Sequence, residues 1–351
     1  MMSVLRKVPR EGWLAVAILA VASFAHFQSA RDGFFGTSQF LSRLNLIELA
    51  RQTSTLGIFA LGAGIVIIAG GIDLSSGSVI CFTAMIFAKL PEYISDKLNQ
   101  AIAAGTISKA TADSFEKWGF LTADTPFSTP MLATIAAIAM LSGIAVGMLH
   151  SLLINQLEIP PFVATLATMA GLRSGASLIT TGNIMVDDER FRVLGRQWTI
   201  QVAIFLGLCV LLGFMMRWMV VGRHLVAMGG NEQAAVLSGL PVRRLKLFAY
   251  TLASTLAALA GLVLLADVGS AETRAGMGYE LKAIAAAVVG GCNLKGGAGS
   301  ILGIALGVLL LVVVINGSLF MMEKSATEWE GVIVGVVVIF AVLLGKFSGG
   351  K

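Results

Sequence analysis

The sequence predicts an all-α, polytopic membrane protein, a helix bundle with about ten transmembrane helices. Its composition is 56% hydrophobic and only 13% charged over 351 residues, with a mean hydropathy of +0.86. The apolar residues stand in blocks of about 17 to 22, the length that a helix needs to cross roughly 30 Å of hydrocarbon. The alternating segments of about ten residues that are typical of a membrane barrel are not visible. Residues 1–351 are therefore predicted to form one transmembrane domain.

The candidate spans follow the apolar blocks between polar breaks. They cover residues 12–30, 52–70, 74–90, 131–153, 160–181, 198–217, 247–266, 281–293, 300–320 and 331–345. The block 281–293 is short for a crossing and runs into the glycine-rich stretch GGCNLKGGAGS. We expect a broken or re-entrant segment there, which leaves the number of true spans at eight to ten.

The first block allows two interpretations. Basic residues precede its apolar core, and Ala20–Val21–Ala22 resembles a signal-peptide cleavage site. The alternative is an uncleaved signal anchor, and a topology with ten spans favours it.

Charges in the loops predict the orientation of the chain. The segment 217–246 carries five Lys and Arg residues against one Glu, whereas 91–129 carries three basic residues against five acidic ones. The positive-inside rule places the loop of about 218–246 in the cytoplasm and the loop of about 91–129 outside as a cap. Ten spans then bring both termini into the cytoplasm. The net charge of +5 follows from topology, and no basic patch with interleaved aromatics predicts a nucleic-acid partner.

The sequence shows neither a phosphate-binding loop nor cysteines and histidines at the spacing of a metal site. The Gly345–Lys346 pair does not have the spacing of a phosphate-binding loop, so energy from ATP would come from a partner. The cysteines Cys81, Cys209 and Cys292 lie in apolar blocks without metal-ligand spacing and are predicted to be small core residues.

A short helix is predicted in MGGNEQAAVLSGLPVRRLK, residues 228–246. Asn231 is a good N-cap, and Glu232 places a negative charge at the positive helix end. Gly239 suits the left-handed position after the helix, and Pro241 prevents its continuation. The segment is therefore a helix of under two turns with both ends fixed.

The residues around this helix suggest that another backbone approaches it. Gly229 and Gly230 would allow a sharp turn into the helix. The small side chains of Ala234 and Ala235 would let another backbone come close to the helix surface. From the residues alone, a plain connecting loop with one helical turn explains the pattern equally well.

Four stretches of the sequence resemble a known family. They are GRHLVAMGGNEQAAVLSGLPVRRLKLFAYTLASTLAALAGLVLLADVGSA, GYELKAIAAAVVGGCNLKGGAGSILGIALGVLLL, LGAGIVIIAGGIDLSSGSVI and IPPFVATLATMAGLRSG. Together they resemble the permease subunit of bacterial ABC importers of the ribose-permease type, over most of residues 45–345. Members of that family handle ribose, xylose, galactofuranose, the autoinducer-2 signal and related polyols. The chain departs from the family pattern at His150–Ser151, where Asn-Gly is usual, and at Ser174, where Gly is common.

The resemblance implies a function and a set of partners. The segment from Asn231 to Gly239 would be the cytoplasmic coupling helix, which docks into the ATP-binding cassette subunits. Those subunits would hold ATP and Mg, and this chain would bind no cofactor and catalyse no reaction. A periplasmic or extracellular solute-binding protein would deliver a sugar or polyol. A second permease copy, identical or related, would complete a dimer in the bacterial inner membrane.

Two other classes of protein are alternatives to this function. A secondary active transporter of a small polar solute would carry more ionisable residues in its spans and would need no docking helix. An intramembrane aspartyl protease would need two acids sharing a proton, and Asp73 has no evident partner acid.

Asp73 stands at the junction of two apolar blocks, in GGIDLSSGS. It could contact a polar solute in the membrane or cap the helix that follows, and the N-cap is favoured. Gly70, Gly71 and Gly77 would then permit a tight turn and close helix contact.

Arg173 lies in the middle of the block 160–181, where a charge is costly and usually faces a partner inside the bundle. Candidates for a structural ion pair are Asp73, Glu158 and Glu280. A role in the substrate pathway is the alternative.

Glycines are concentrated after Glu280. They are predicted to pack helices closely, and in a transporter they would also let helices move past one another. These residues are Gly290, Gly291, Gly296 and Gly297, followed by Gly299, Gly303 and Gly307 at a four-residue spacing.

Overall fold

The computed structural model describes residues 10–32, 39–117, 128–180, 182–319, 329–337 and 339, which form a bundle of α-helices with one two-stranded sheet. The elements are α1 (Arg10–Asp32), α2 (Arg43–Ile68), α3 (Ser76–Ala103), α4 (Lys109–Lys117), α5 (Thr129–Asn155), α6 (Pro161–Ile179), β1 (Ile184–Met185), α7 (Glu189–Arg196), α8 (Trp198–Trp218), α9 (Val220–Gly230), α10 (Glu232–Leu237), α11 (Val242–Val268), β2 (Ser270–Ala271), α12 (Tyr279–Val289) and α13 (Ile301–Leu319). Residues 329–337 are also helical. In these ranges, eight helices are long and apolar enough to cross a membrane. The all-α polytopic fold class is confirmed.

Helix α2 is the centre of the bundle. Every residue from Thr53 to Ile68 is buried, so the helix is covered on all sides. It packs against α8, α11, α12 and α13. A helix that is apolar all round belongs inside a large protein or in a membrane, and α2 meets both conditions.

Small residues set the distances between these helices. A Cβ on Gly62 of α2 would lie 2.9 Å from Cα of Ala253 in α11. A Cβ on Gly143 of α5 would lie 2.7 Å from the carbonyl oxygen of Ser254, so α5 and α11 also cross backbone on backbone. Without a strong hydrophobic drive between helices in lipid, such close van der Waals packing is a main source of association.

The predicted broken span at 281–293 is confirmed. Helix α12 has 11 residues and rises about 16 Å, too short to cross the hydrocarbon. The glycine-rich loop 290–300 follows it and leads into α13. Gly303 and Gly307 of α13 pack on the backbone around Gly290, as their spacing predicts.

The break predicted between the blocks 52–70 and 74–90 is a second discontinuity, a non-helical segment between two long helices. Helix α2 ends at Ile68 and α3 begins at Ser76, and Gly71, Asp73 and Ser75 of the non-helical segment between them are buried. The span predicted at 74–90 is also too short, because α3 continues through Pro91 to Ala103. A proline inside a helix removes one backbone hydrogen bond and kinks the axis, and here the helix runs on for a further three turns. The loop predicted from residue 91 is therefore helical in its first part.

The bundle has two ends that differ in structure. The α10 end carries α10 together with Gly70 and Gly297. The strand end carries α7 and the antiparallel pair β1–β2, in which Ile184 faces Ala271. Residues 118–127 of the predicted cap lie outside the described residues, as do residues 338 and 340–345 of the last predicted span, 331–345.

Candidate functional site

Helix α10 has the ends that the sequence predicts. The Asn231 side chain accepts a hydrogen bond of 2.9 Å from the backbone N–H of Ala234. Gly239 follows the helix with φ +78°, a left-handed conformation that glycine adopts without strain. The predicted caps are confirmed, and they hold six residues in a helix that would not be stable by itself.

The surface of α10 is divided between a buried and an exposed side. Ala235 is buried against the bundle, whereas Ala234 is exposed. At the C-terminal turn, Val236 is 56% exposed and Leu237 is 88% exposed. Glu232 forms an ion pair of 2.6 Å with Lys246 of α11, which attaches the other end of α10 to the bundle. The helix therefore presents an apolar tip from a fixed base.

The predicted role of Gly229 and Gly230 in a sharp turn is wrong. Both residues are the last of α9 and are helical, and the chain turns at Asn231, where φ is −159° and ψ is 104°. An N-cap residue normally adopts this extended conformation, so the turn needs no glycine. The glycines serve close packing instead.

Five glycines from three parts of the chain meet at the α10 end, and we call them the glycine junction. They are Gly70 after α2, Gly229 and Gly230 before α10, and Gly296 and Gly297 between α12 and α13. Three of them have positive φ, between 76° and 87°.

The backbones of the glycine junction touch. A Cβ on Gly229 would overlap the carbonyl oxygen of Ile68 and would lie 2.7 Å from N of Gly297. A Cβ on Gly296 would lie 2.7 Å from Cα of Gly70. The N–H of Gly297 donates a hydrogen bond of 2.9 Å to the Ile68 carbonyl oxygen. These contacts tie the end of α9, which leads into α10, to the end of α2 and to the loop between α12 and α13.

Asp73 lies in the discontinuity between α2 and α3, and the prediction that it is the N-cap is wrong by two residues. The N-cap of α3 is Ser75. The Asp73 carboxylate, which is 2% exposed, accepts hydrogen bonds from N and Oγ of Ser75 at 2.8 and 2.7 Å and from Oγ of Ser76 at 2.9 Å. A buried carboxylate requires such donors, and Asp73 receives them from its own turn.

Two residues near Asp73 were not predicted to belong to the site. The rings of His150 and Tyr250 lie 5.8 Å apart, and both side chains are buried. Gly71 lies directly against the Tyr250 hydroxyl. The signal in the sequence was the departure from Asn-Gly at His150–Ser151, which places a large polar side chain where the family has a smaller one.

The predicted ion pair of Arg173 is wrong. Its Nη1 donates hydrogen bonds to the carbonyl oxygens of Thr273 and Ala275, at 3.2 and 2.7 Å. In the described part of the chain, no carboxylate forms an ion pair with it. Backbone carbonyls satisfy a guanidinium without a second buried charge, and here they tie α6 to the loop before α12.

The other acids proposed as partners lie elsewhere. Glu280, in the first turn of α12, accepts a hydrogen bond of 3.3 Å from the N–H of Gly278. Its second oxygen lies against Gly77 at the start of α3. In the first turn of α12, the helix dipole favours the negative charge of Glu280. Glu158 is exposed between α5 and α6.

At the strand end, Asp188 caps α7 and is completely buried. Burial alone would raise the pKa of its carboxyl group. Hydrogen bonds from the Arg190 side chain and from the N–H groups of Phe191 and Arg190, with the Arg190 charge, outweigh burial and hold the pKa below its ordinary value. This carboxylate fixes the short helix at the surface.

A bundle of membrane-spanning helices with a broken span at α12, a non-helical segment between α2 and α3 and an exposed short helix at one end is typical of membrane transport proteins. The sequence profile of a family described as "branched-chain amino acid transport system / permease component" matches residues 45–342. The chain belongs to this family, as a permease of the ribose type of ABC importers.

Named relatives cover most of the chain. It is 34% identical to the ribose import permease protein of Bacillus subtilis strain 168 over 315 residues, 88% of this chain and 86% of that protein. It is 31% identical to the ribose import permease protein of Escherichia coli K12 over 314 residues, 87% and 86% of the two chains. It is 29% identical to the galactose/methyl galactoside import permease protein of Escherichia coli K12 over an alignment of 358 positions, which covers 97% of this chain and 95% of that protein. No solved structure matches the chain.

Proposed function

We propose that this permease moves a sugar or a polyol-like solute into the cell and that α10 is the helix through which an ATP-binding subunit drives it. Support for the solute class comes from the relatives, which are named for the import of ribose and of galactose or methyl galactoside. The single observation that carries the mechanism is the glycine junction. It places the end of α9, which leads directly into the exposed α10, in backbone contact with the end of α2 and with the loop between α12 and α13.

The ATP-binding subunit contacts α10 through its exposed surface. Leu237 and Val236 form an apolar tip that a hydrophobic groove in the partner would cover, with Ala234 beside them. Covering an apolar side chain contributes about 1.5–3 kcal/mol. The base of α10 stays fixed by the Glu232–Lys246 pair, so force applied at the tip passes to Gly229 and Gly230.

The movement then passes to the two segments of the chain that contact Gly229 and Gly230. Through Gly70 it reaches the non-helical segment that contains Gly71 and Asp73, and through Gly296 and Gly297 it reaches the loop between α12 and α13. These segments lack the regular intrahelical hydrogen bonds of the spans, which makes them easier to rearrange than the helices. Asp73, Arg173 and Glu280 hold the segments in shape, and a solute passes beside them without chemical change.

The remaining assignments follow from this role. The α10 end faces the cytoplasm and the strand end faces outward, where a solute-binding protein docks and delivers the solute. Both termini are cytoplasmic, and the protein lies in the inner membrane of a bacterium. Two permease copies and two ATP-binding subunits form the working complex. ATP and Mg bind to those subunits, and this chain holds no cofactor.

A secondary transporter is the competing function. Uptake in proteoliposomes distinguishes the two. The chain is reconstituted with its ATP-binding subunit, and radiolabelled ribose or galactose is offered with the solute-binding protein outside. We expect uptake that requires ATP inside the vesicles and persists when ion gradients are collapsed. Uptake driven by a proton or sodium gradient without ATP would contradict the proposal.

A further inference from the structure

A groove of about 410 Å³ lies on the surface between α5 and α11. Its lining is apolar, with Met148 from α5 and Leu247, Phe248 and Leu252 from α11. One charged side chain, Arg244, stands among the lining residues. A groove of this kind on membrane-spanning helices is open to lipid.

The groove has the length of one lipid leaflet. Its residues on α11 run from Arg244 to Thr255 at spacings of three and four, which is a single face of the helix. Eleven residues rise about 16 Å, close to half of the roughly 30 Å of hydrocarbon in a bilayer. With α11 (Val242–Val268) spanning a bilayer, Arg244 near its start would lie at the headgroup end and Thr255 near the middle of the helix would lie close to the bilayer centre.

Close packing behind the groove explains why it is there. Gly147 of α5 brings the helix backbone onto Thr251 of α11, where a Cβ would lie 2.8 Å from N of Thr251. Beside this close crossing, the longer side chains of Met148 and Phe248 stand outward and are 54% and 37% exposed. They form the walls of a channel that the helices themselves do not fill.

The charge at the headgroup end is available to a ligand. Glu232, the nearest carboxylate along the chain, is paired with Lys246 at 2.6 Å. Arg244 is exposed, and within the described ranges it forms no ion pair. A guanidinium binds a phosphate through two parallel hydrogen bonds.

We propose that the groove binds an anionic phospholipid, with one acyl chain along α11 and the phosphate on Arg244. The side of the membrane rests on the proposed function, which places this lipid in the cytoplasmic leaflet. Basic pockets between transmembrane helices on that side are suited to anionic headgroups. The lipid would lie against the first turns of α11, directly after α10.

The test measures lipid retention by the purified full-length chain, without any ATP-binding subunit. The protein is exchanged from mixed micelles that contain equal amounts of phosphatidylglycerol and phosphatidylcholine, and bound lipid is counted by native mass spectrometry. We expect the wild type to retain phosphatidylglycerol preferentially. Arg244→Gln should lower that retention about fivefold, the effect of one basic side chain near an anionic surface, and should leave phosphatidylcholine unchanged.

Arg243→Gln is the matched control, because it removes the same charge one position away and Arg243 does not line the groove. We expect it to change phosphatidylglycerol retention by less than about twofold. Equal losses in the two variants would mean that the basic surface attracts lipid without a site, and would overturn the proposal. Equal retention of both lipids by the wild type would also overturn it.

A second measurement locates the lipid. Phosphatidylglycerol with a photoreactive acyl chain should crosslink mainly to peptides that contain Met148 and 247–255. Uniform labelling of all membrane-facing helices would contradict the groove as the site. A disulfide between two chains that carry Met148→Cys would place a second copy of the protein there instead. None of these results depends on ATP-driven transport, so the lipid proposal and the proposed function fail separately.

Discussion

Gly229 lies so close to Ile68 that no Cβ fits between its Cα and the Ile68 carbonyl oxygen. The contact joins the helix before α10 to the end of the central helix α2. Its neighbour Gly230 has room, since the nearest atom to a Cβ there is Cα of Gly297 at 3.9 Å. Close packing thus requires glycine at position 229, whereas position 230 has space for a larger side chain.

The first prediction uses this difference. Gly229→Ala should push α9 away from α2, at a cost of about 1–3 kcal/mol for overpacking, and should lower the melting temperature and ATP-driven uptake. Gly230→Ala should match the wild type in stability or exceed it slightly, because alanine favours a helix by about 0.5–1 kcal/mol over glycine. Thermal unfolding and uptake are measured on both. Equal behaviour of the two variants would show that the junction is looser than these contacts require.

A second prediction concerns sidedness. Ser114 of α4 and Ser238 after α10 are both exposed, and the proposed topology places them on opposite sides of the membrane. Ser114→Cys should react with an impermeant thiol reagent in spheroplasts or intact cells, and Ser238→Cys should react only after permeabilisation. Of the native cysteines, Cys81 and Cys292 are buried and the half-buried Cys209 lies within the membrane-spanning helix α8, so background labelling by an impermeant reagent should be low. The reverse pattern would invert the topology and remove α10 from the cytoplasm.

Local features of this fold could be predicted from sequence, and contacts between distant segments could not. The caps of α10 depend on Asn231 and Gly239, whose conformations are set by residues within one turn. The sequence indicates the broken span after residue 281 by the short length of its apolar block and by the glycines that follow. The glycine junction joins three segments separated by more than 60 residues, and each glycine alone fits a turn equally well.

Arg173 illustrates the same limit for charges. The sequence shows that a charge lies in an apolar block, and a carboxylate is the partner that a sequence can display. The actual partners are the carbonyl oxygens of Thr273 and Ala275, which any residues would supply at that place. The path of the loop backbone determines which carbonyl oxygens reach Arg173, and the side chains in the sequence do not indicate that path.

The third prediction follows from these bonds. Arg173→Leu should leave both carbonyls without their donor and destabilise the loop before α12, at about 1.5–3 kcal/mol for a hydrogen bond to a charged group. Hydrogen exchange in residues 272–278 should accelerate, and folded yield should fall. Arg196→Leu, on exposed α7, serves as the control. If Glu280→Gln restored the Arg173→Leu variant, a buried acid would be the true partner and the assignment would be wrong.

A fourth prediction concerns acid stability at the strand end. The pKa of Asp188 is lowered in the folded protein, so its contribution to stability is present above the ordinary aspartate pKa of about 3.9 and is lost as pH falls through the lower folded value. The melting temperature of the wild type should therefore decrease below about pH 4 more steeply than that of Asp188→Asn, which keeps a capping side chain. Asp187→Asn, at an exposed position, is the control. Parallel pH profiles for all three proteins would contradict the assigned role.

The last prediction tests α10 as the mechanical link. Gly239 has φ +78°, and a Cβ at this position would have no atom within 4 Å, so a substitution there meets backbone strain without a steric clash. Gly239→Val should cost about 1–2 kcal/mol at the end of α10 and leave membrane insertion intact. The variant complex should lose the ATP-binding subunit during purification or hydrolyse ATP without importing solute. Gly239→Asn should preserve transport, because asparagine tolerates the left-handed conformation. If Gly239→Val assembled and transported at the wild-type rate per ATP, the shape of α10 would not matter for energy transfer, and the coupling proposal would lose the structural feature on which it depends.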